Sequence, residues 1–569
     1  MLGMSWRRFV GRWAVALLSV GVASTAWAAN SPIADAAQNQ NREALRSLLR
    51  QKADVNAPQL DGTTALHWAV RLNDLETADV LIRAGANVNA TNRDGATPLQ
   101  LAALNGSAAM IEKLVKAGAD PNAPLSSSGD TALMLAARTG TTDAIKVLLE
   151  TGGNVNAKES WGGTTPLMSA VAERHPAAVK MLIERGADVS ARSNFVAAAN
   201  GRGFEGRTPS APKNDQAVEE FASGWLTALM FAAREGDLES ARLLVGAGAD
   251  VNAVAADGKD ALGLAIFNGN YDVASFLIDS KSNVNKADTQ GFTPLFWAVD
   301  RRNMETAPNF PWMVTADPLP LIRKMLDAGA NPNALVNNTP RARMRAGSPR
   351  IVFATALMRA AFSGDLELVK LLLAKGADPT IRSKDYETML EAAAGLAFIQ
   401  GYSKGKPPAE RLEVVKLFVS LGADVNAADD YGITALMAAA NMGDVAIIQY
   451  LVDKGADLGA YDLGKKNDGA FGASVEPLMP IDYAIGVGTF VPNNAVIIHE
   501  EAVALMQTMM KARGIVHTTS ECTLRGFTCA QANVDPKVAT PAEIQKMRQL
   551  AVGHQVEGVT GGLSVKEKQ

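Results

Sequence analysis

A pattern of about 33 residues that recurs along almost the whole chain restricts its fold more than any other feature. The clearest copy runs from Asp94 to Ala123, DGATPLQLAALNGSAAMIEKLVKAGADPNA. Others begin at Asp61 (DGTTALHWAVRLNDLETADVLIRAGANVNA), Gly129 (GDTALMLAARTGTTDAIKVLLETGGNVNA) and Tyr431 (YGITALMAAANMGDVAIIQYLVDKGADLGA). The recurring residues have local physical reasons. Asp61-Gly62, Asp94-Gly95 and Asp257-Gly258 predict tight turns at finger tips. Thr64, Thr97, Thr131 and Thr165 are placed to cap a first helix through their hydroxyls. Pro98, Pro166 and Pro294 follow at the first helical position, where no amide hydrogen is needed. Ala102-Ala103 and Ala136-Ala137 are small enough for neighbouring helices to approach. Gly106, Gly140, Gly236, Gly269, Gly364 and Gly443 are expected to end that helix in a left-handed conformation, with Asn73, His175 and Asn303 taking the same place in other copies. A second helix carries apolar residues three and four apart, as at Val179, Leu182 and Ile183, and ends at a glycine such as Gly85, Gly118, Gly186, Gly248 or Gly455. Asp/Asn-Val-Asn-Ala then opens the next finger.

The Thr-x-Leu anchors fall at Thr64, Thr97, Thr131, Thr165, Thr227, Thr293, Thr355, Thr388 and Thr434. Asp260 replaces Thr in one copy, Met479-Pro480-Ile481 is a degenerate last one, and Ile33 to Ala57 is a first copy without a finger, which makes about 12 units. Over roughly Pro32 to Gly514 this set of positions resembles the ankyrin repeat. The resemblance implies an all-α repeat solenoid of stacked helix-turn-helix units with β-hairpin fingers. No unit buries its own hydrophobic face, so stacking must do it. The resemblance also implies protein partners, bound on a concave face of fingers and first helices, and a structural hydrogen bond for His67 in TALH.

Insertions interrupt the regular spacing near 192–224, 303–320, 335–353, 400–410, 462–478 and 486–498. Such breaks usually map to surface loops. Phe310, Trp312 and Met313 lie beside prolines in the second of these and read as a contact surface or as a cover folded back on the array. Arg341, Arg343, Arg345 and Arg350 lie in the third with no acid among them. They suggest an acidic partner surface, or a solvated loop paired with neighbouring units. Both sets are the candidate partner-binding residues.

The ends of the chain read differently. Arg7, Arg8 and Arg12, the apolar run Trp13 to Ala23 and the small-x-small Ala26-Trp27-Ala28 predict a signal peptide over residues 1–28, with the mature chain starting near Ala29. The run is too short to span a bilayer, and a retained anchor is the alternative. The Arg7-Arg8 pair leaves the general and twin-arginine routes both open. The destination expected is the bacterial periplasm, with full secretion as the second option. Residues 515–569 read as a C-terminal cap and flexible tail. Cys522 and Cys529, the two cysteines of the chain, are expected to form a disulfide there in an oxidising compartment, or else to be two thiols.

Little here points to chemistry. The net charge of −4, near −7 without Arg7, Arg8 and Arg12, gives no broadly basic face for nucleic acid. The five histidines are scattered, and no metalloprotease, phosphate-loop, nucleophile-elbow or haem motif occurs. His499-Glu500-Glu501 does not converge as a metal site would. No cofactor or metal is expected, and no membrane insertion after signal cleavage. The reading is a non-enzymatic interaction scaffold. An accessory subunit of an exported redox or transport complex, or an enzyme with its site in the insertions, are the alternatives.

Overall fold

Helices of five to nine residues are too short to persist alone in water, and most helices among the described residues are of that length. The computed structural model describes residues 31–125, 128–196, 223–289, 291–303, 316–336, 354–383, 387–396, 405–463, 477–486 and 498–517. Among these residues the helices come in consecutive pairs. One two-residue antiparallel strand pair, β1 (Phe195–Val196) with β2 (Ser223–Gly224), departs from the all-helical pattern. It closes the stem of the excess between Thr165 and Thr227. The chain falls into two compact units, Met1–Ala265 with Asp272–Ser282 and Ile266–Tyr271 with Asn283–Gln569. No helix among the described residues is long and apolar enough to cross a membrane.

The pair Pro98–Leu104 and Ala108–Lys116 shows how the sequence builds a unit. Thr97 is extended, and its hydroxyl accepts the Gln100 N–H at 3.4 Å. Ala102 and Ala103 are fully buried on the first helix, and Met110, Ile111 and Leu114 on the second. Each of those three larger side chains contributes about 1.5–3 kcal/mol relative to exposure. Gly106 turns the chain at φ 66 and Gly118 ends the second helix at φ 95. An added Cβ at Gly106 would also strike the Thr141 side chain of the next pair at 2.6 Å, so this glycine serves packing as well as the turn.

Two of the expected turn residues do not take the left-handed conformation. His175 has φ −109 and is the N-cap of Pro176–Glu184. The left-handed step falls one residue earlier, at Arg174 (φ 62), which is nine residues beyond Thr165, as Gly106 is beyond Thr97. Asn303 has φ −105 because Pro294–Arg302 runs on through the position where other first helices stop. Asn73 is left-handed as expected, at φ 52. Thr64 is also a variation: its hydroxyl lies 2.8 Å from His67 Nδ1, and its N–H bonds the same nitrogen at 3.2 Å.

Many successive pairs are tied by one asparagine, whereas Ser190 and Thr380 hold that position at two other junctions and bond locally to Asp188 and Asp378. In the first unit Asn56, Asn89, Asn122 and Asn156 donate Nδ2–H to the carbonyls of Gly85, Gly118, Gly152 and Gly186. Their Oδ1 atoms accept N–H bonds from Asn87, Asp120, Asn154 and Asp188. In the second unit Asn285, Asn333 and Asn426 do the same with Gly329/Asn331, Gly376/Asp378 and Gly455/Asp457. Each carboxamide thus satisfies a carbonyl left open at a helix C-terminus and an amide just beyond it.

Replacing Asn122 by Asp keeps the acceptor but sets a carboxylate against the Gly152 carbonyl. Loss of one hydrogen bond costs about 0.5–1.5 kcal/mol, so the urea midpoint should fall for Asn122→Asp and further for Asn122→Ala. Midpoints equal to that of the unaltered chain would show that the bridge adds no stability.

Candidate interaction surface

The finger loops are set by a buried polar side chain at their base. Glu159 is the most engaged of these in the first unit. Its carboxylate accepts the N–H groups of Trp161 (2.6 Å), Gly162 (2.7 Å) and Thr164 (2.9 Å), and the Thr164 hydroxyl (3.1 Å). Burial would raise its pKa, but these hydrogen bonds outweigh burial and hold the carboxyl below the usual range. Asn92, Asp288 and Asp429 hold other fingers through the same kind of bond, to Ala96, Phe292 and Ile433. A loop so tied presents its tip without further loss of freedom on binding.

What the tips present in the first unit is aromatic. Trp161 is 82% exposed. Phe195 and Trp225, on the neighbouring finger, are partly exposed and pack ring to ring with centroids 5.0 Å apart. Trp225 occupies the place of Gly62 and Gly95 and keeps their positive φ, at 55. Fingers are joined tip to tip: Asn194 N–H donates to Gly162 O at 2.7 Å, as Arg93 does to Asp61 and Ala256 to Gly224. Lys158 Nζ reaches Arg192 O at 3.0 Å, and the Arg192 guanidinium bonds the carbonyls of both Trp225 and Val254. The cations beneath this platform therefore brace backbone carbonyls. On the first helices Arg71 lies over the Trp68 ring and Arg234 over Phe231, and Leu72 and Leu104 are exposed.

In the second unit the first helices carry buried charge instead. Arg359, 1% exposed, donates to Asp300 (2.8 Å), to the Ser363 hydroxyl (2.8 Å) and to Asn303 O (2.9 Å). Arg302 bridges Asp365, Glu367 and Asp317. These guanidiniums are held by carboxylates of the same unit. Sequence reading did not single them out, because their partners lie about 60 residues away.

Of the residues predicted for partner binding, Phe310, Trp312, Met313, Arg341, Arg343, Arg345 and Arg350 lie outside the described residues, as do Cys522, Cys529 and the segment 1–28. His67 makes the bond expected of it: Nδ1 accepts the Thr64 N–H, so Nε2–H donates to Ala96 O at 3.0 Å. Burial lowers its pKa, more than its hydrogen bonds to backbone raise it. His499 Nε2 bonds Asn441 O at 3.0 Å from the N-cap of Glu500–Arg513. Among the described residues no group of three His, Cys, Asp or Glu is arranged to hold a metal ion.

The third residue of the first helix is a site that the sequence hid. Gln100 accepts the Thr97 N–H and donates to Ala123 O (3.1 Å) in the following finger. Glu391 fills the same slot and accepts the Thr388 N–H at 3.0 Å, but its Oε1 is buried with no hydrogen-bond partner. Burial, with Asp429 and Glu387 near, pushes its pKa up to about 9.

A family model described as "Ankyrin repeats (3 copies)" matches residues 33–125, 123–193, 229–308 and 357–462, which is more than half of the chain. The chain is 26% identical over 264 residues to "Ankyrin repeat and KH domain-containing protein CBG24701" of Caenorhabditis briggsae, across 43% of this chain and 9% of that protein. It is 36% identical over 77 residues to "Serine/threonine-protein kinase 12" of Arabidopsis thaliana, across 14% of this chain and 17% of that protein. The chain thus spans a small part of either relative. Among solved structures, that of the human ASB11 ankyrin repeat domain matches with 28% identity and a TM-score of 0.36, covering 45% of this chain and 99% of that one.

Glu391→Gln tests the buried slot. A carboxyl whose native pKa lies above its ordinary value near 4.5 contributes stability that is complete at low pH and lost as pH rises toward 9. Glutamine does not ionise, and Gln100 already serves in that slot. The variant should unfold at higher urea than the unaltered chain at pH 8, by at least about 1 kcal/mol, with the gap closing toward pH 5. Parallel pH profiles would count against a neutral buried acid.

Proposed function

Since this chain belongs to the ankyrin-repeat family, we propose that it is a non-enzymatic protein-interaction scaffold that works in the bacterial envelope. The observation that carries the reading is Trp161. It is 82% exposed at the tip of a finger in which three backbone N–H groups and one hydroxyl donate to one buried carboxylate. A large aromatic ring held rigidly in water is costly to leave uncovered and costs little entropy to bind. Phe195 and Trp225 extend the same surface. In this reading Phe310, Trp312 and Met313 add apolar contacts, and Arg341, Arg343, Arg345 and Arg350 add attraction for an acidic partner surface. The array has about twelve units, a disulfide between Cys522 and Cys529 staples its C-terminal cap, and residues 1–28 direct export to the periplasm.

A photo-crosslinking amino acid placed at position 161 of the full chain, in the native envelope, tests the surface. It should give discrete adducts with a partner protein that are absent when the probe is at Lys116, exposed on the second helix of its pair. Trp161→Ala should weaken co-purification of the same partner by at least tenfold, as expected for an aromatic anchor worth about 2 kcal/mol. Identical adducts from positions 161 and 116 would remove the basis for the reading.

A further inference from the structure

The last helix pair closes differently from those before it. In two earlier pairs, where the third residue of the first helix is His67 or Gln100, that side chain has two ends. One holds the N–H of the capping threonine, and the other reaches the finger that follows. His67 reaches Ala96 O, and Gln100 reaches Ala123 O and Asp130 O. In Pro480–Ala484 the slot holds Asp482, fully buried. Its Oδ2 accepts the Met479 N–H at 2.7 Å, which is the first of the two roles. Its Oδ1 meets Nε2 of His517 at 2.5 Å. The chain arrives there because Gly514 (φ 69) ends Glu500–Arg513 and Ile515 N–H turns back to Met510 O.

We propose that His517 is a proton-controlled latch, which fills the slot a following finger fills elsewhere and holds residues 515–517 against the last helix pair while its ring is protonated. A carboxylate with no access to water needs a donor on each oxygen, and an imidazolium supplies a charge-assisted one, roughly twice as strong as a neutral bond. Of the charged groups on the elements around it, Asp482 acts on the ring as acceptor and as charge, and both effects raise the His517 pKa against the opposing effect of burial. Asp462 is engaged by the Tyr483 hydroxyl at 2.6 Å. Lys511 and Arg513, in the last turn of Glu500–Arg513, are exposed to solvent. A histidine whose native pKa is raised gives stability that is full at acid pH and is lost as pH climbs through the raised value, above the ordinary 6.5. The latch is therefore closed in mildly acid surroundings and opens on alkalinisation.

The test is hydrogen–deuterium exchange of the full chain from pH 5.5 to 9, with protection factors corrected for intrinsic exchange. Amides of residues 500–517 should lose protection severalfold across a transition above pH 6.5, whereas His517→Gln should show low protection that does not vary with pH. The NMR titration of the His517 ring, identified by its absence in His517→Gln, should give a pKa above the ordinary value that returns toward it in Asp482→Asn. If Asp482→Asn does not fold, the wild-type titration and His517→Gln still decide. A wild-type profile that matches His517→Gln, or a His517 ring that titrates at or below 6.5, overturns the proposal.

Discussion

A carboxamide with a donor at one end and an acceptor at the other is what lets one short helix pair recognise the next. The asparagines at 56, 89, 122 and 156 each meet a glycine carbonyl and an amide two residues beyond it, and those at 285, 333 and 426 repeat this in the second unit. Neither aspartate nor serine offers both functions at that reach. The bonds also fix spacing, because a pair displaced along the stack by one residue would present its carbonyl where an N–H is required. Hydrophobic stacking supplies most of the free energy but is indifferent to such slips, so the polar bridge fixes register at the junctions that carry it, and Ser190 and Thr380 mark two that do not.

In four pairs a second polar position carries similar weight, where most others have Met or Phe. The residue three past the capping threonine is buried in every unit where it is described in detail, and its chemistry varies widely: His67, Gln100, Glu391, Asp482. Glutamine and neutral histidine can each accept the threonine amide and donate onward. The acids accept at one oxygen and must find a donor for the other. Asp482 finds His517, and the Oε1 of Glu391 finds none. The array tolerates such variation because each exchange is local to one junction.

The sequence disclosed the features whose causes are local. Thr97, Pro98 and Gly106 act within a few residues of themselves, and their spacing alone identifies the helix pair. Residue type points to His175 and Asn303 as turns, but the register from Thr165 puts the left-handed step at Arg174, and after Thr293 the helix runs on through Arg302. The bridging asparagine reads in the sequence as part of a finger, since its partners lie about thirty residues ahead. Trp161 is illegible in the sequence because it lies in a regularly spaced finger, where a single aromatic has no pattern. Its significance comes from exposure and from Glu159 beneath it. The buried Arg302 and Arg359 were equally illegible, for their carboxylate partners belong to distant helices.

The stem at Phe195–Gly224 has a wider consequence. Two residues of strand pairing and the bridge from Arg192 to Val254 bring the ends of a long excursion together. The flanking helix pairs, Pro166–Glu184 and Ala228–Gly246, pack much as uninterrupted neighbours do. Closing a longer loop costs only logarithmically more. The stem therefore uncouples the length of what lies between those strands from the helical register, so sequence spliced there leaves the scaffold unchanged.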